Sequence, residues 1–281
     1  MSQATAQSTS FTLRGGAGTL AAWESVPPPD VEMRGTVLLV PGFTGSKEDF
    51  EAMQPILSAA GFRCVAYDQR GQWQSDGPDE ASGYTMADFA DDLILVAEQI
   101  SDHTPIHLVG HSFGGYVARA ALAAHPDGFR SLTLLASGPS STSDINFAPP
   151  QLVAQLIESG GQQALWEQIS QAVAALVPPV KLEFLRNRIF TTKKANLIGI
   201  MRAMEGPTDC TAALRATGLP ILIAYGNSGD IWPPSVHERY AEELGARTAV
   251  YDGVGHLPNE ERPARVCADL ITFWAGIDQA R

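Results

Sequence analysis

Short, uninterrupted apolar runs alternate along this chain with longer stretches in which apolar residues recur every three or four positions. The runs at 36–40 (TVLLV), 62–67 (FRCVAY), 106–109 (IHLV) and 131–136 (SLTLLA) largely lack the apolar/polar alternation of a half-exposed strand. Such runs predict strands buried on both faces, as in a parallel sheet covered by its crossover helices. Between them, 48–60, 85–101 and 113–125 read as helices. In the second, Met86, Phe89, Leu93, Val96, Ala97 and Ile100 form one stripe at the helical period. Thr85 followed by Asp88 predicts a cap at its start. Upstream, 11–13 and 20–24 are joined by RGGAG and predict a leading hairpin. Prolines at 27–29 separate it from the first central strand.

The alternation stops after residue 137. From 138 to 216 only helical periodicity is visible. Leu152, Leu156, Trp166, Ile169, Val173 and Leu176 suit two helices broken at Gly160 and Gly161 and ended by Pro178 and Pro179. Leu182, Leu185 and Ile189, then Leu197, Met201 and Met204, suit two more. After Gly218 the earlier pattern resumes with a strand at 219–225, a helix near 236–244, a strand at 248–251 and a last helix near 262–274. The expected organisation is a polar tail (1–10), an α/β core in two parts (11–137 and 217–281) and a helical insertion (138–216) between them. The expected fold class is α/β, a mostly parallel twisted sheet flanked by helices.

Composition narrows the function. With 281 residues, 44% hydrophobic and 18% charged, the chain can bury a core without disulfides or metals. Its 19 basic against 31 acidic residues leave a formal charge of −12, the wrong sign for a phosphate binder, so no nucleic-acid partner is expected. Cys64, Cys210 and Cys267 are far apart and form no CxxC, which reads as packed or idle thiols in a reducing compartment. The opening MSQATAQSTS has neither the basic start nor the apolar stretch of a signal peptide. The longest apolar runs fall far short of the ~20 residues of a membrane helix. A cytoplasmic protein without stable membrane insertion is therefore expected; the oligomeric state is left open.

The sharpest local pattern is Gly110-His111-Ser112-Phe113-Gly114-Gly115, set between the strand IHLV and the helix that follows. A tight strand-to-helix turn needs backbone without side chains on either side of the serine, which Gly110 and Gly114 supply. The turn lifts the Ser112 hydroxyl above the carboxyl end of the sheet, and the helix that follows sets its positive end beneath it.

With this elbow the chain resembles the α/β-hydrolase superfamily, from about residue 11 to residue 275. Pro41-Gly42-Phe43-Thr44-Gly45-Ser46 follows the first central strand, where the family commonly carries His-Gly-x and builds its oxyanion hole. The resemblance implies the backbone N–H groups of Phe43 and Phe113 as oxyanion donors, with Pro41 replacing the usual histidine and ordering the loop by its fixed φ. Asp68-Gln69-Arg70-Gly71-Gln72-Trp73-Gln74-Ser75 resembles the family's D-x-R-G-x-G-x-S, with Trp73 in place of the second glycine. Asp68 and Arg70 are expected to fix the loop as a charge pair. His256, in Gly253-Val254-Gly255-His256-Leu257-Pro258 after the last strand, occupies the place of the family's catalytic histidine. The other five histidines, His237 and His111 among them, have no comparable position. The acid is expected at Asp230, one residue beyond the family's usual place, where Gly229 stands; Asp144, after the strand SLTLLA, is the alternative.

The order Ser112, Asp230, His256 is that of nucleophile, acid and base in the superfamily. It implies a serine hydrolase acting on a carboxylic ester through an acyl-enzyme, without metal or organic cofactor. Thioester release, lactone opening and C–C bond hydrolysis use the same groups, and a ligand-binding protein that merely retains the fold is the reading from another class. The helical insertion is expected to cap Ser112. Phe147, Leu152, Leu156, Trp166, Phe184, Phe190, Met201 and Met204 either line an apolar acyl pocket or hold the cap helices together. The expected partner is a small, largely apolar acyl substrate.

Overall fold

The structure, a computed structural model, describes residues 8–139, 145–206 and 209–279. The predicted leading hairpin is β1 (Thr9–Gly15) paired antiparallel with β2 (Gly18–Ser25). β1 takes in Thr9 and Ser10, opposite Glu24 and Trp23, so the expected tail is shorter than 1–10. Most of that tail lies outside the described residues.

The uninterrupted runs are the central strands β3 (Gly35–Val40), β4 (Phe62–Tyr67), β5 (Ile106–His111) and β6 (Phe129–Leu135). With β7 (Ile221–Gly226) and β8 (Arg247–Tyr251) they complete one eight-stranded sheet in the order β1-β2-β4-β3-β5-β6-β7-β8. From β4 to β8 every pairing is parallel. Two separate cores explain the unbroken apolar runs. Leu38 and Val40 enter the core on one face of the sheet, while Val37 and Leu39 enter the core on the other. Each such fully buried aliphatic side chain contributes roughly 1.5–3 kcal/mol.

Helices α1 (Gln54–Ala59), α2 (Met86–Ile100) and α3 (Phe113–Ala124) fill the first crossovers. Thr85 caps α2 reciprocally with Asp88, as the spacing predicts. The helix expected over 48–60 is instead a 3-10 turn (Lys47–Phe50) followed by α1. Pro55 is the reason: it has no N–H to give and suits only the first turn of a helix.

Between β6 and β7 lie α4 (Pro150–Val173), α5 (Pro179–Thr191), α6 (Lys194–Met204) and α7 (Thr211–Thr217). α4 breaks at Gly161, whose φ of 66° and ψ of −163° leave helical space. α7 went unpredicted. Leu152 (57% exposed) and Phe190 (37%) face solvent, and Met201 is buried in the main core. Those three do not behave as one lining. Lys181 pairs with Glu260 at 3.0 Å and Arg188 with Asp49 at 2.5 Å, tying α5 to the sheet-bearing part of the molecule. The chain ends with α8 (Pro234–Leu244), α9 (Pro258–Glu261) and α10 (Pro263–Gln279). Among the described residues no helix is long and apolar enough to cross a membrane.

Candidate active site

Ser112 stands between β5 and α3 with φ 51° and ψ −119°, a backbone conformation that costs energy for any residue with a side chain. Close packing enforces it. A Cβ at Gly114 would lie 2.2 Å from the Val40 carbonyl oxygen, and one at Gly110 would lie 2.5 Å from the Gly114 oxygen. Only glycine lets α3 start this close to β3. The elbow is pinned further by Ser112 N–H donating to the Leu135 carbonyl at 3.0 Å.

The loop after β3 lies against the same serine, since a Cβ at Gly42 would sit 2.9 Å from Ser112 Cβ. Two buried amides hold this loop: Gln69 Nε2 donates to the Pro41 carbonyl at 2.9 Å and Gln72 Nε2 to the Gly42 carbonyl at 2.8 Å. Thr44 follows with φ 58°. Phe43 is carried by this loop after β3, and Phe113 opens the first turn of α3, where helix amides have no partner within the helix.

Ser112, His256 and Asp230, far apart in the chain, meet beyond the carboxyl ends of β5, β7 and β8. His256 Nε2 is 3.0 Å from Ser112 Oγ, and His256 Nδ1 is 2.6 Å from Asp230 Oδ1. A carboxylate only accepts, so Nδ1 carries the ring proton and Nε2 is left to accept from the serine hydroxyl. Burial pushes the Asp230 carboxyl up, but hydrogen bonds from His237 and His256 outweigh it and hold the group down at about 2. Asp144, the alternative acid, lies outside the described residues.

One expectation about the neighbouring loop needs correction. Asp68 and Arg70 do not pair with each other. Asp68 accepts from Lys47 Nζ at 2.9 Å, and Arg70 Nε reaches Asp92 at 2.7 Å with Asp88 3.1 Å from Nη1. Each still fixes the loop, through a partner on another element. Burial lifts the Asp68 carboxyl to about 6 despite Lys47. Trp73, with φ 40°, faces α5: its Nε1 donates to Glu48 and its ring stands edge-on to Phe184 at 5.8 Å.

Four residues around the site go beyond what the sequence predicts. His111 Nε2 lies 2.9 Å from the His256 carbonyl oxygen, so it carries the proton and ties the histidine loop to the elbow. Burial and the neighbouring His256 hold its pKa down at about 4. His237, buried on α8, reaches Asp230 Oδ2 at 3.0 Å. Arg188 of α5 donates to both Asp49 and Ser46 just after the Gly42–Gly45 turn. Asn259 at the start of α9 donates to the Asp49 carbonyl at 2.8 Å, so one aspartate joins α5, the loop after β3 and the histidine side of the site. His111 sits inside the elbow motif and could have been suspected. His237 and Arg188 carry no local signal.

Comparison with known proteins agrees with this architecture. A bifunctional esterase/perhydrolase of Acinetobacter calcoaceticus is 27% identical over 251 residues, covering 83% of this chain and 88% of the relative. A proline iminopeptidase of Lactobacillus delbrueckii subsp. bulgaricus is 28% identical over 268 residues, covering 86% of this chain and 90% of the relative. Among solved structures, an esterase from Exiguobacterium antarcticum superposes with a TM-score of 0.80 at 18% identity, over 95% of this chain and all of the other. The enol-lactonase from Burkholderia xenovorans LB400 superposes with a TM-score of 0.78 at 18% identity, over 94% of this chain and all of the other. Residues 35–195 match the family model for the alpha/beta hydrolase fold, and the chain belongs to that family.

Proposed function

We propose that this protein is a serine hydrolase that cleaves a carboxylic ester of a small, largely apolar acyl group. The observation that carries the reading is the His256 ring, which bridges Ser112 Oγ at 3.0 Å and Asp230 Oδ1 at 2.6 Å. That geometry supports His256 Nε2 taking the Ser112 proton as Oγ attacks the acyl carbonyl. Asp230 keeps Nδ1 protonated and stabilises the imidazolium that forms. The backbone N–H groups of Phe43 and Phe113 receive the developing oxyanion, a contribution worth roughly 100- to 1,000-fold per donor. His256 then gives its proton to the departing alkoxide oxygen. In the second half it draws a proton from water, whose oxygen attacks the acyl-enzyme, and returns a proton to Ser112 Oγ. No step requires a metal or an organic cofactor.

The ester class is supported by relatives and structural neighbours named as esterases. Thioesters, lactones and the C–C bonds of vinylogous diketones remain chemistry the same groups can perform. A panel of p-nitrophenyl esters, acyl-CoA thioesters, lactones and vinylogous diketones tests the reading. Turnover should be highest on short- to medium-chain esters and lost in Ser112→Ala. Preference for long, highly charged substrates, or a fully active Ser112→Ala, would overturn it.

A further inference from the structure

Asp230 is held by more than one imidazole. Oδ1 accepts from His256 Nδ1 and from the backbone N–H of Ile231 at 2.6 Å, while Oδ2 lies 3.0 Å from Nε2 of His237. His237 stands in the first turn of α8, seven residues after the acid, and is fully buried. Its ring lies nearly flat on Tyr225 at 4.4 Å with 16° between the planes, and meets Trp232 at a steep angle. Nδ1 is buried with no hydrogen-bond partner among the described residues. Because the carboxylate only accepts, the ring proton belongs on Nε2 and is directed at Oδ2. Burying an imidazole that satisfies only one of its nitrogens is costly, and an apolar side chain would fill the same space without that cost. The bond to Asp230 is what the ring provides in return.

We propose that His237 is a positioning residue for the acid of the site, a step that rests on the triad reading above. A carboxylate held only through Oδ1 can turn about its Cβ–Cγ bond and lose its alignment with the His256 ring. Held at both oxygens, it keeps that alignment before and after His256 gains the serine proton, so little reorganisation accompanies the chemical step. The need is local. Gly229 has φ 80°, and Asp230 follows it on the loop from β7 to α8 rather than on a strand end. The stack on Tyr225 fixes the donor, and the donor fixes the acid.

The test compares His237→Met with His237→Gln. The two side chains have similar length, but only glutamine offers an N–H near the place of Nε2. With p-nitrophenyl butyrate as probe, His237→Met should lower kcat about 10- to 100-fold with KM within about twofold of wild type. His237→Gln should return kcat to within about fivefold of wild type. The downfield proton resonance of His256 Nδ1–H should persist in the glutamine variant and shift or vanish in the methionine variant, which a purely packing role would not produce. Wild-type kcat in His237→Met, or equal losses in both variants, overturns the proposal. Should His237→Met fail to fold, ¹⁵N spectra of the wild-type histidines decide: a proton on Nε2 of His237 supports the proposal and one on Nδ1 overturns it. Ser112→Ala, run alongside, separates the two levels. If it is inactive while His237→Met matches wild type, only the role of His237 fails; if it is active, the triad reading falls and takes the role of His237 with it.

Discussion

Replacing His111 with glutamine removes a titrating ring and keeps an N–H long enough to reach the His256 carbonyl. In the folded protein, burial and the nearby His256 hold His111 at about 4, against 6.5 for the free side chain. The difference of about 2.5 pH units, at about 1.4 kcal/mol per unit, corresponds to roughly 3 kcal/mol. Between pH 6.5 and about 4 the unfolded chain binds a proton that the native protein refuses. The His111 contribution to stability is therefore intact above pH 6.5, declines as the pH falls, and levels off below about 4. Asp68 slopes the other way. Burial raises its folded pKa to about 6 from 3.8, so the native protein takes up that proton first and gains stability as the pH falls from about 6 to 3.8. In wild type the two effects oppose each other over nearly the same range, and a single stability curve hides both. The difference between His111→Gln and wild type isolates the histidine. Urea unfolding at pH 4, 5, 6 and 7, with m-values compared, measures it. Relative to wild type, the variant should gain up to about 3 kcal/mol between pH 7 and pH 4. A gap of constant size at every pH would refute the reasoning, because it would mean that the buried ring does not resist protonation.

Asp230→Asn should cut kcat on p-nitrophenyl butyrate by roughly 10⁴-fold, since an amide cannot hold the same histidine tautomer or balance the imidazolium. Asp144→Asn should stay within a few-fold of wild type in the same steady-state assay; the reverse pattern would move the acid to Asp144. Arg188→Met leaves Asp49 as a buried charge without its guanidinium partner and should cost about 3–5 kcal/mol in urea unfolding. Arg188→Met combined with Asp49→Leu should recover part of that loss, as a double-mutant cycle would record.

The parts of this fold that were readable in sequence are those where one physical cause dominates. Burial on both faces produces the unbroken runs of β3, β5 and β6, and the one-sided stripe of α2 follows from packing a single face. The elbow was legible because the spacing of Gly110 and Gly114 has a steric cause. Elements went wrong where causes compete. The apolar content of 48–60 suits a helix, but Pro55 withholds an N–H and confines the α-helix to Gln54–Ala59. At seven residues, α7 is too short for periodicity to register. Asp68 and Arg70 stand two apart and invite pairing, yet Lys47 and Asp92 reach them from other elements. The same limit hid His237 and Arg188. Their partners lie across a loop or between two packed layers, and nothing in the neighbouring residues records such a contact. The chain order of Ser112, Asp230 and His256 was visible because the sheet topology carries it; the contacts of His237 with Asp230 and of His111 with the His256 carbonyl belong to tertiary packing.

The most direct test is covalent. Wild-type protein treated with a fluorophosphonate probe, digested and analysed by mass spectrometry should carry the label on the peptide containing Ser112, with Ser112→Ala unlabelled and His256→Ala labelled far more slowly. Folded wild-type protein that takes up no label, or takes it up at a different serine, would contradict the account.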